Sequence, residues 1–290
     1  MPEWLNLPLG LGGASLPKDM ATLREMKERG EPIAMLTCYD YPTALLEERA
    51  GVDVMLVGDS VGTNVLGYAS EIEVTLADIR HHVRAVRRGV SEGYLLADLP
   101  YRTYEDETSA VANAQELLLS GADGVKLEGV RPRIVQALSR AGIDVCAHIG
   151  LSMQAQDQVR VKGKTFDEAR TIYEGAVALE QAGAKMMVLE LLPDELAQAI
   201  TRRLGIPTIG IGAGPHTDGQ VLVVQDMLGV TARAMRHART YLNLQELLPT
   251  AFSAYVADVR RRSFPADQNY SHMREDDALA MRGWLDAPNG

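Results

Sequence analysis

Acidic side chains recur in this sequence at one kind of place, directly after a short apolar run. Asp59 follows Val54-Met55-Leu56-Val57-Gly58, Asp98 closes Tyr94-Leu95-Leu96-Ala97, Glu128 closes Gly124-Val125-Lys126-Leu127, and Glu190 closes Met186-Met187-Val188-Leu189. His148 ends a further run, Asp144-Val145-Cys146-Ala147. Runs of this kind read as parallel strands buried on both faces, and the carboxyl ends of such strands are where α/β proteins gather their chemistry. One acid in such a place is better explained as a helix N-cap; the recurrence argues for a site. Neighbouring strands lie about 4.8 Å apart, so acids on three adjacent strand ends converge on one small volume. Their charges repel unless a cation neutralises them or one is protonated. Carboxylate oxygens without a His or Cys cluster favour a hard cation, Mg2+ before zinc. Asp59, Asp98 and Glu128 are the candidate metal ligands.

Lys126 stands two residues before Glu128, so both point to the same face of their strand. A lysine inside a parallel barrel needs an anion, either a substrate carboxylate or one of the neighbouring acids in an ion pair. Glu190 ends a very apolar strand across the mouth from the acids. An apolar setting raises a carboxyl pKa and suits a general base, against the alternative of an exposed acid beyond the strand. His148 reads equally as a hydrogen-bond donor to substrate or as a packed core residue. His81-His82, beside Arg84, Arg87 and Arg88, reads as a solvated helix face. Gly210-Ile211-Gly212-Ala213-Gly214 is an incomplete phosphate-loop pattern, and a tight turn explains it as well.

The elements that position these residues alternate regularly. Apolar runs are expected as strands at Ile33–Cys38, Val54–Val57, Tyr94–Asp98, Gly124–Glu128, Asp144–His148, Met186–Glu190 and Pro207–Ile211, with an eighth near Ala232–Tyr241. Between them lie helical stretches, among them Tyr41–Ala50, one opened by Thr75 with Asp78 as a capping box, Ala110–Leu119, Pro132–Arg140, Asp167–Gln181, Glu195–Leu204 and Gln220–Leu228. Repeated strand–helix units mean a parallel sheet, and seven or eight in this length favour a closed (β/α)8 TIM barrel over an open sheet. The expected organisation is an extension over 1–19, one barrel domain over 20–265 and a polar, partly disordered tail over 266–290, with a long helix at Gln245–Arg262.

The chain has 290 residues, 46% hydrophobic and 23% charged, with a net charge of −10. That composition supports a large core, and the charge argues against nucleic acid or an anionic membrane surface as partner. No apolar run is long enough to span a bilayer, and the first 17 residues lack a basic region before their apolar part, so no signal peptide is expected. Cys38 and Cys146 sit in apolar runs and are expected as buried free thiols, which points to a reducing cytoplasm.

The series Leu36-Thr37-Cys38-Tyr39-Asp40, Met55-Leu56-Val57-Gly58-Asp59-Ser60, Leu95-Leu96-Ala97-Asp98-Leu99-Pro100, Val125-Lys126-Leu127-Glu128-Gly129, His148-Ile149-Gly150-Leu151, Gly210-Ile211-Gly212-Ala213-Gly214 and Asp218-Gly219-Gln220-Val221 resembles the ketopantoate hydroxymethyltransferase family, of the phosphoenolpyruvate mutase/isocitrate lyase superfamily. The resemblance runs in order from about residue 20 to residue 273. It implies a (β/α)8 barrel assembled as a homo-oligomer, typically a decamer. It implies Mg2+ held by Asp59 and Asp98 directly and by Glu128 through water, with Asp98 also in reach of substrate. Ser60 and Lys126 would hold the carboxylate of a 2-oxo acid, His148 would bind substrate near the metal, and Glu190 would remove the C3 proton of 3-methyl-2-oxobutanoate. The enolate would then take the one-carbon unit of 5,10-methylenetetrahydrofolate. The family's Gly-Leu-Thr-Pro-Gln stands here as Gly150-Leu151-Ser152-Met153-Gln154, its glycine-rich covering loop as Gln158-Val159-Arg160-Val161-Lys162, and the segments at 67–70 and 234–237 also differ. These departures keep a second expectation open: the same enolate chemistry on another 2-oxo acid or aldehyde donor.

Overall fold

A computed structural model describes residues 17–154, 160–231 and 235–287. The first sixteen residues, part of the altered loop between 152 and 165, residues 232–234 of the expected eighth strand and the last three residues of the tail lie outside them. The described chain forms two compact units, one ending at Tyr241 and one beginning at Leu242.

The first unit opens with α1 (Met20–Arg29), capped by the Asp19 side chain and stopped by Gly30 in the left-handed conformation. Strands and helices then alternate: β1 (Ile33–Thr37), α2 (Tyr41–Ala50), β2 (Val54–Val57), α3 (Leu76–Arg87), β3 (Tyr94–Asp98), α4 (Glu107–Leu119), β4 (Gly124–Glu128), α5 (Pro132–Arg140), β5 (Val145–Gly150), α6 (Phe166–Gln181), β6 (Met186–Glu190), α7 (Asp194–Arg203), β7 (Thr208–Ile211), β8 (Gly219–Leu222) and the short α8 (Val224–Met227). All strand pairs are parallel, and β8 pairs with β1 to close the barrel. The expected (β/α)8 barrel is what forms. Thr75 and Asp78 make the expected capping box at the start of α3.

Two expectations fail at the closing strand. The segment read as a helix over Gln220–Leu228 holds β8 and the single turn of α8, and no described residue of 235–241 is in a strand. A four-residue strand carries little local pattern; what makes Gly219–Leu222 a strand is pairing with β7 on one side and, along its whole length, with Ile33–Leu36 at the opposite end of the unit.

Strands buried on both faces still obey a period of two. Val54 and Leu56 of β2, Tyr94 and Leu96 of β3, Cys146 of β5, and Met186 and Val188 of β6 fill the barrel interior together with Met20, Leu23 and Met26 of α1, which plugs its amino end. The alternate residues Met55, Val57, Leu95, Ala97, Val125, Leu127, Met187 and Leu189 form the layer against the helices. Continuing the inward phase toward the carboxyl ends gives Asp98, Lys126, Glu128, His148 and Glu190. The barrel interior therefore changes from apolar to ionisable at one depth.

Cys38 and Cys146 are buried and unpaired, as expected. Glu47 of α2 is the outlier in the helix-facing layer: it is buried, and neither carboxyl oxygen has a partner in hydrogen-bonding geometry, the Cys38 thiol being its polar neighbour. Burial, with a contribution from the Asp40 charge, pushes its pKa up to about 8. Below about pH 4.5 this carboxyl is neutral whether the chain is folded or not; between there and about pH 8 only the unfolded chain ionises, so stability falls as pH rises. The loss is on the order of 4–5 kcal/mol across that window. Glu47→Gln removes the titration. The Tm of the variant minus that of the parent is expected to grow by on the order of 10 °C between pH 5 and pH 8.5, and a difference that stays flat would show that the carboxyl is not held neutral.

The second unit contains α9 (Leu244–Arg261) and α10 (Glu275–Leu285). The tail expected to be partly disordered thus holds a helix over its centre, with Glu275, Asp276 and Asp277 in the first turn and Arg282 in the last, an arrangement that complements the helix dipole. Among the described residues no helix is long and apolar enough to cross a membrane.

Candidate active site

The carboxyl ends of the strands surround a cavity of about 350 Å3, and all seven residues singled out in the sequence line it: Asp59, Ser60, Asp98, Lys126, Glu128, His148 and Glu190. Its ionisable groups are wired to one another. Lys126 Nζ donates to Asp98 Oδ1 at 2.7 Å, and the Asp59 backbone N–H donates to Asp98 Oδ2 at 2.9 Å. Of the two roles open to Lys126, the ion pair with a neighbouring acid is present in the structure. The ammonium carries three donors, of which Asp98 takes one. Burial works against its charge, but Asp98, Asp59 and Glu128 outweigh burial and hold its pKa well above the ordinary lysine range.

Glu128 Oε2 accepts from the Ser152 hydroxyl at 2.7 Å and from the Gln154 backbone N–H at 3.1 Å. His148 stands between two acids, its Nδ1 3.2 Å from Glu128 Oε1 and its Nε2 3.1 Å from Glu190 Oε2. Both contacts lie within ion-pair distance. Burial would depress the imidazole, but the Glu128 charge and the contact with Glu190 raise its pKa to about 9. Burial likewise opposes ionisation of Glu128, and the adjoining His148, Lys126 and Ser152 overcome it, lowering its pKa to about 2. Asp59 goes the other way: burial first, then the charges of Asp98 and Glu128, lift it well above the usual carboxylate range.

Glu190 owes its position to a close approach. Gly150 has φ +106° at the end of β5, and a Cβ there would sit 2.0 Å from the Glu190 carbonyl oxygen. Only glycine lets β5 pass β6 this closely. Leu191, next along, also has positive φ, at 48°, so the backbone on both sides of Glu190 is constrained. The glycines at 212 and 214 have positive φ and would meet Leu191 and Asp194 with a Cβ, which makes their segment a tight turn.

Four polar neighbours had no role in the sequence. The Tyr39 hydroxyl is 2.7 Å from Ser60 Oγ. Gln154 donates through Nε2 to Asp59 Oδ2 at 2.8 Å, and its Oε1 accepts from Tyr104, whose hydroxyl accepts from the Glu128 N–H at 3.3 Å. Ser152 completes the set. Their signal in the sequence was position alone: each lies a few residues beyond a strand end. The opposite wall is apolar, with Leu56, Val188, Ile211 and Val221.

Among the described residues no three His, Cys, Asp or Glu side chains are placed so as to share one ion. By its chemistry the donor set fits a hard cation. Asp59, Asp98 and Glu128 offer only carboxylate oxygens, the donors a hard cation takes, and they line one cavity.

Fold and site together define a (β/α)8-barrel enzyme whose carboxyl-end cavity is lined by acids, a lysine and a histidine. The chain belongs to the ketopantoate hydroxymethyltransferase family: the sequence model of that family matches residues 18–267. It is 44% identical over 267 residues to the 3-methyl-2-oxobutanoate hydroxymethyltransferase of Geobacillus sp. (strain WCH70), covering 89% of this chain and 96% of the relative. It is 47% identical over 248 residues to the enzyme of the same name from Thermus thermophilus, covering 83% of this chain and 95% of the relative. Among solved structures, a phosphonopyruvate hydrolase in complex with oxalate and Mg2+ superposes with a TM-score of 0.58 at 13% identity, over 92% of this chain and 96% of the other. A 2,3-dimethylmalate lyase, described as a member of the PEP mutase/isocitrate lyase superfamily, superposes with 0.54 at 16% identity, over 92% and 98%. These two likenesses concern the fold.

Proposed function

We propose that this enzyme transfers a hydroxymethyl group from 5,10-methylenetetrahydrofolate to C3 of 3-methyl-2-oxobutanoate, forming ketopantoate with the help of Mg2+. One observation carries the reading: Asp59, Ser60, Asp98, Lys126, Glu128, His148 and Glu190 line a single cavity, in a chain whose relatives bear that enzyme name. Asp59, Asp98 and Glu128 would hold the metal, which supplies Lewis-acid stabilisation for negative charge developing on the 2-oxo oxygen.

The chain's own groups do the rest. Ser60, set by Tyr39, and Lys126 bind the substrate carboxylate, and the branched apolar end lies on Leu56, Val188, Ile211 and Val221. The Glu190 carboxylate accepts the C3 proton. His148, cationic over the physiological range, stands beside Glu190 and orients it before the transfer. The electron pair left at C3 forms the new C–C bond to the one-carbon unit, the bonds from that carbon to folate nitrogen break, and water supplies the hydroxyl. In this reading the enzyme works as a homo-oligomer, supported by Leu247, Phe252, Tyr255 and Val256 exposed on α9; clustered apolar surface of this kind marks interaction sites.

The test is product formation from 3-methyl-2-oxobutanoate, Mg2+ and 5,10-methylenetetrahydrofolate, followed by NMR. Product is expected, and EDTA is expected to abolish it. Metal-dependent exchange at C3 in D2O without product from this donor would retain the enolate chemistry and replace the donor. No exchange across a panel of 2-oxo acids would overturn the reading.

A further inference from the structure

A second cavity, of about 290 Å3, lies against the first on the β3–β5 side of the mouth. Its walls come from the segments after β3, β4 and β5, and it shares Glu128 with the catalytic cavity. The hydrogen-bonded pair Tyr104 and Gln154 stands between the two. Two guanidinium groups line it, Arg102 and Arg131. Arg133, two residues on from Arg131, is paired with Glu107 at 3.1 Å. Among the described residues neither Arg102 nor Arg131 has a carboxylate within ion-pair reach, although Glu105 shares the wall. Arg102 is also one of the few non-glycine residues with positive φ, at 63°, and its guanidinium lies 5.1 Å from the centre of the Tyr101 ring. A left-handed arginine costs about 1 kcal/mol or more and persists where the surroundings hold it, often at a binding site.

We propose that this side cavity binds the anionic tail of the one-carbon donor. The inference rests on the donor reading above. A molecule that must present a reactive carbon at C3 and also reach past Glu128 needs a head in one cavity and a tail in the other. A reduced folate has that form: a pterin head, an aromatic linker and a glutamate with two carboxylates. Two guanidinium groups without acidic partners match those carboxylates, each able to take one in a bidentate contact. Tyr101 and Tyr104 offer aromatic surface to the linker.

The experiment compares the parent with the double variant Arg102→Ala/Arg131→Ala. Two donors are used, each with formaldehyde: tetrahydrofolate, and its analogue truncated to a neutral 4-aminobenzamide, which keeps N5 and N10 for the methylene bridge but carries no carboxylate. The KM for tetrahydrofolate is expected to rise at least about tenfold, the scale of a lost charge-assisted hydrogen bond, with kcat and the KM for the 2-oxo acid held. Kinetics with the carboxylate-free analogue should not change, nor should metal-dependent C3–H exchange, which involves no donor and reports an intact catalytic cavity. An unchanged tetrahydrofolate KM, or an equal loss with both donors, overturns the proposal while the donor reading stands. A parent that forms no product with methylenetetrahydrofolate overturns the donor reading and this proposal with it.

Discussion

Glu190→Gln is expected to lower metal-dependent C3–H exchange of 3-methyl-2-oxobutanoate by about 10²- to 10⁴-fold, the range of a lost general base. The geometry isolates the effect. Glutamine keeps the shape of the side chain, so the close approach of Gly150 to the Glu190 carbonyl and the constrained turn at Leu191 are undisturbed. What is removed is the proton acceptor, together with one of the two negative partners of His148. Glu128, 3.2 Å from the other ring nitrogen, still faces the imidazole, so the thermal transition should move little. Exchange read by NMR in D2O with Mg2+, beside a melting curve, separates chemistry from folding. Exchange at the parent rate in a folded variant would remove Glu190 from its role and leave a solvent path as the proton acceptor.

Much of this was legible because a parallel barrel imposes simple rules on sequence. The bounds of β2, β3, β4 and β6 follow from short apolar runs ending in acids or glycine, and the inward phase of each run fixes which ionisable residues meet at the mouth. The closing strand was not legible, because the four-residue run Gly219–Leu222 carries little pattern of its own and pairs along its whole length only with β1, far away in sequence. Nor was the wiring of the site. Lys126 had two readings, and only the folded structure shows that its ammonium meets Asp98. Gln154 and Tyr104 lie on loops whose local pattern says nothing about direction, yet they meet over Asp59 and Glu128. The departures from the family pattern divide in the same way. Ser152 keeps a hydroxyl where the family has threonine, and that hydroxyl donates to Glu128; the change is chemically small at this position.

Lys126→Met is expected to be the most damaging single change to stability in the site, and its partner variant shows why. The Lys126–Asp98 contact is 2.7 Å long, with the two side chains 6% and 2% exposed. Methionine fills the space of the lysine stem but leaves Asp98 facing Asp59 and Glu128 with no ammonium between them. Removing one partner of a buried ion pair costs about 3–5 kcal/mol, because the other charge stays buried and uncompensated. In a unit of this size that corresponds to a fall in Tm of on the order of 10 °C. Asp98→Asn should also destabilise, by stranding the lysine. The double variant Lys126→Met/Asp98→Asn has neither uncompensated charge, so its Tm is expected to lie well above the sum of the single losses. Its C3–H exchange should nevertheless stay lost, since both a substrate contact and a candidate metal ligand are gone. Recovery of stability without activity would assign the pair two separable jobs, holding the barrel mouth together and binding the substrate and its metal. Single losses that simply add would show that the pair is energetically neutral and that the charge balance of the mouth is set by His148 and Glu128 instead.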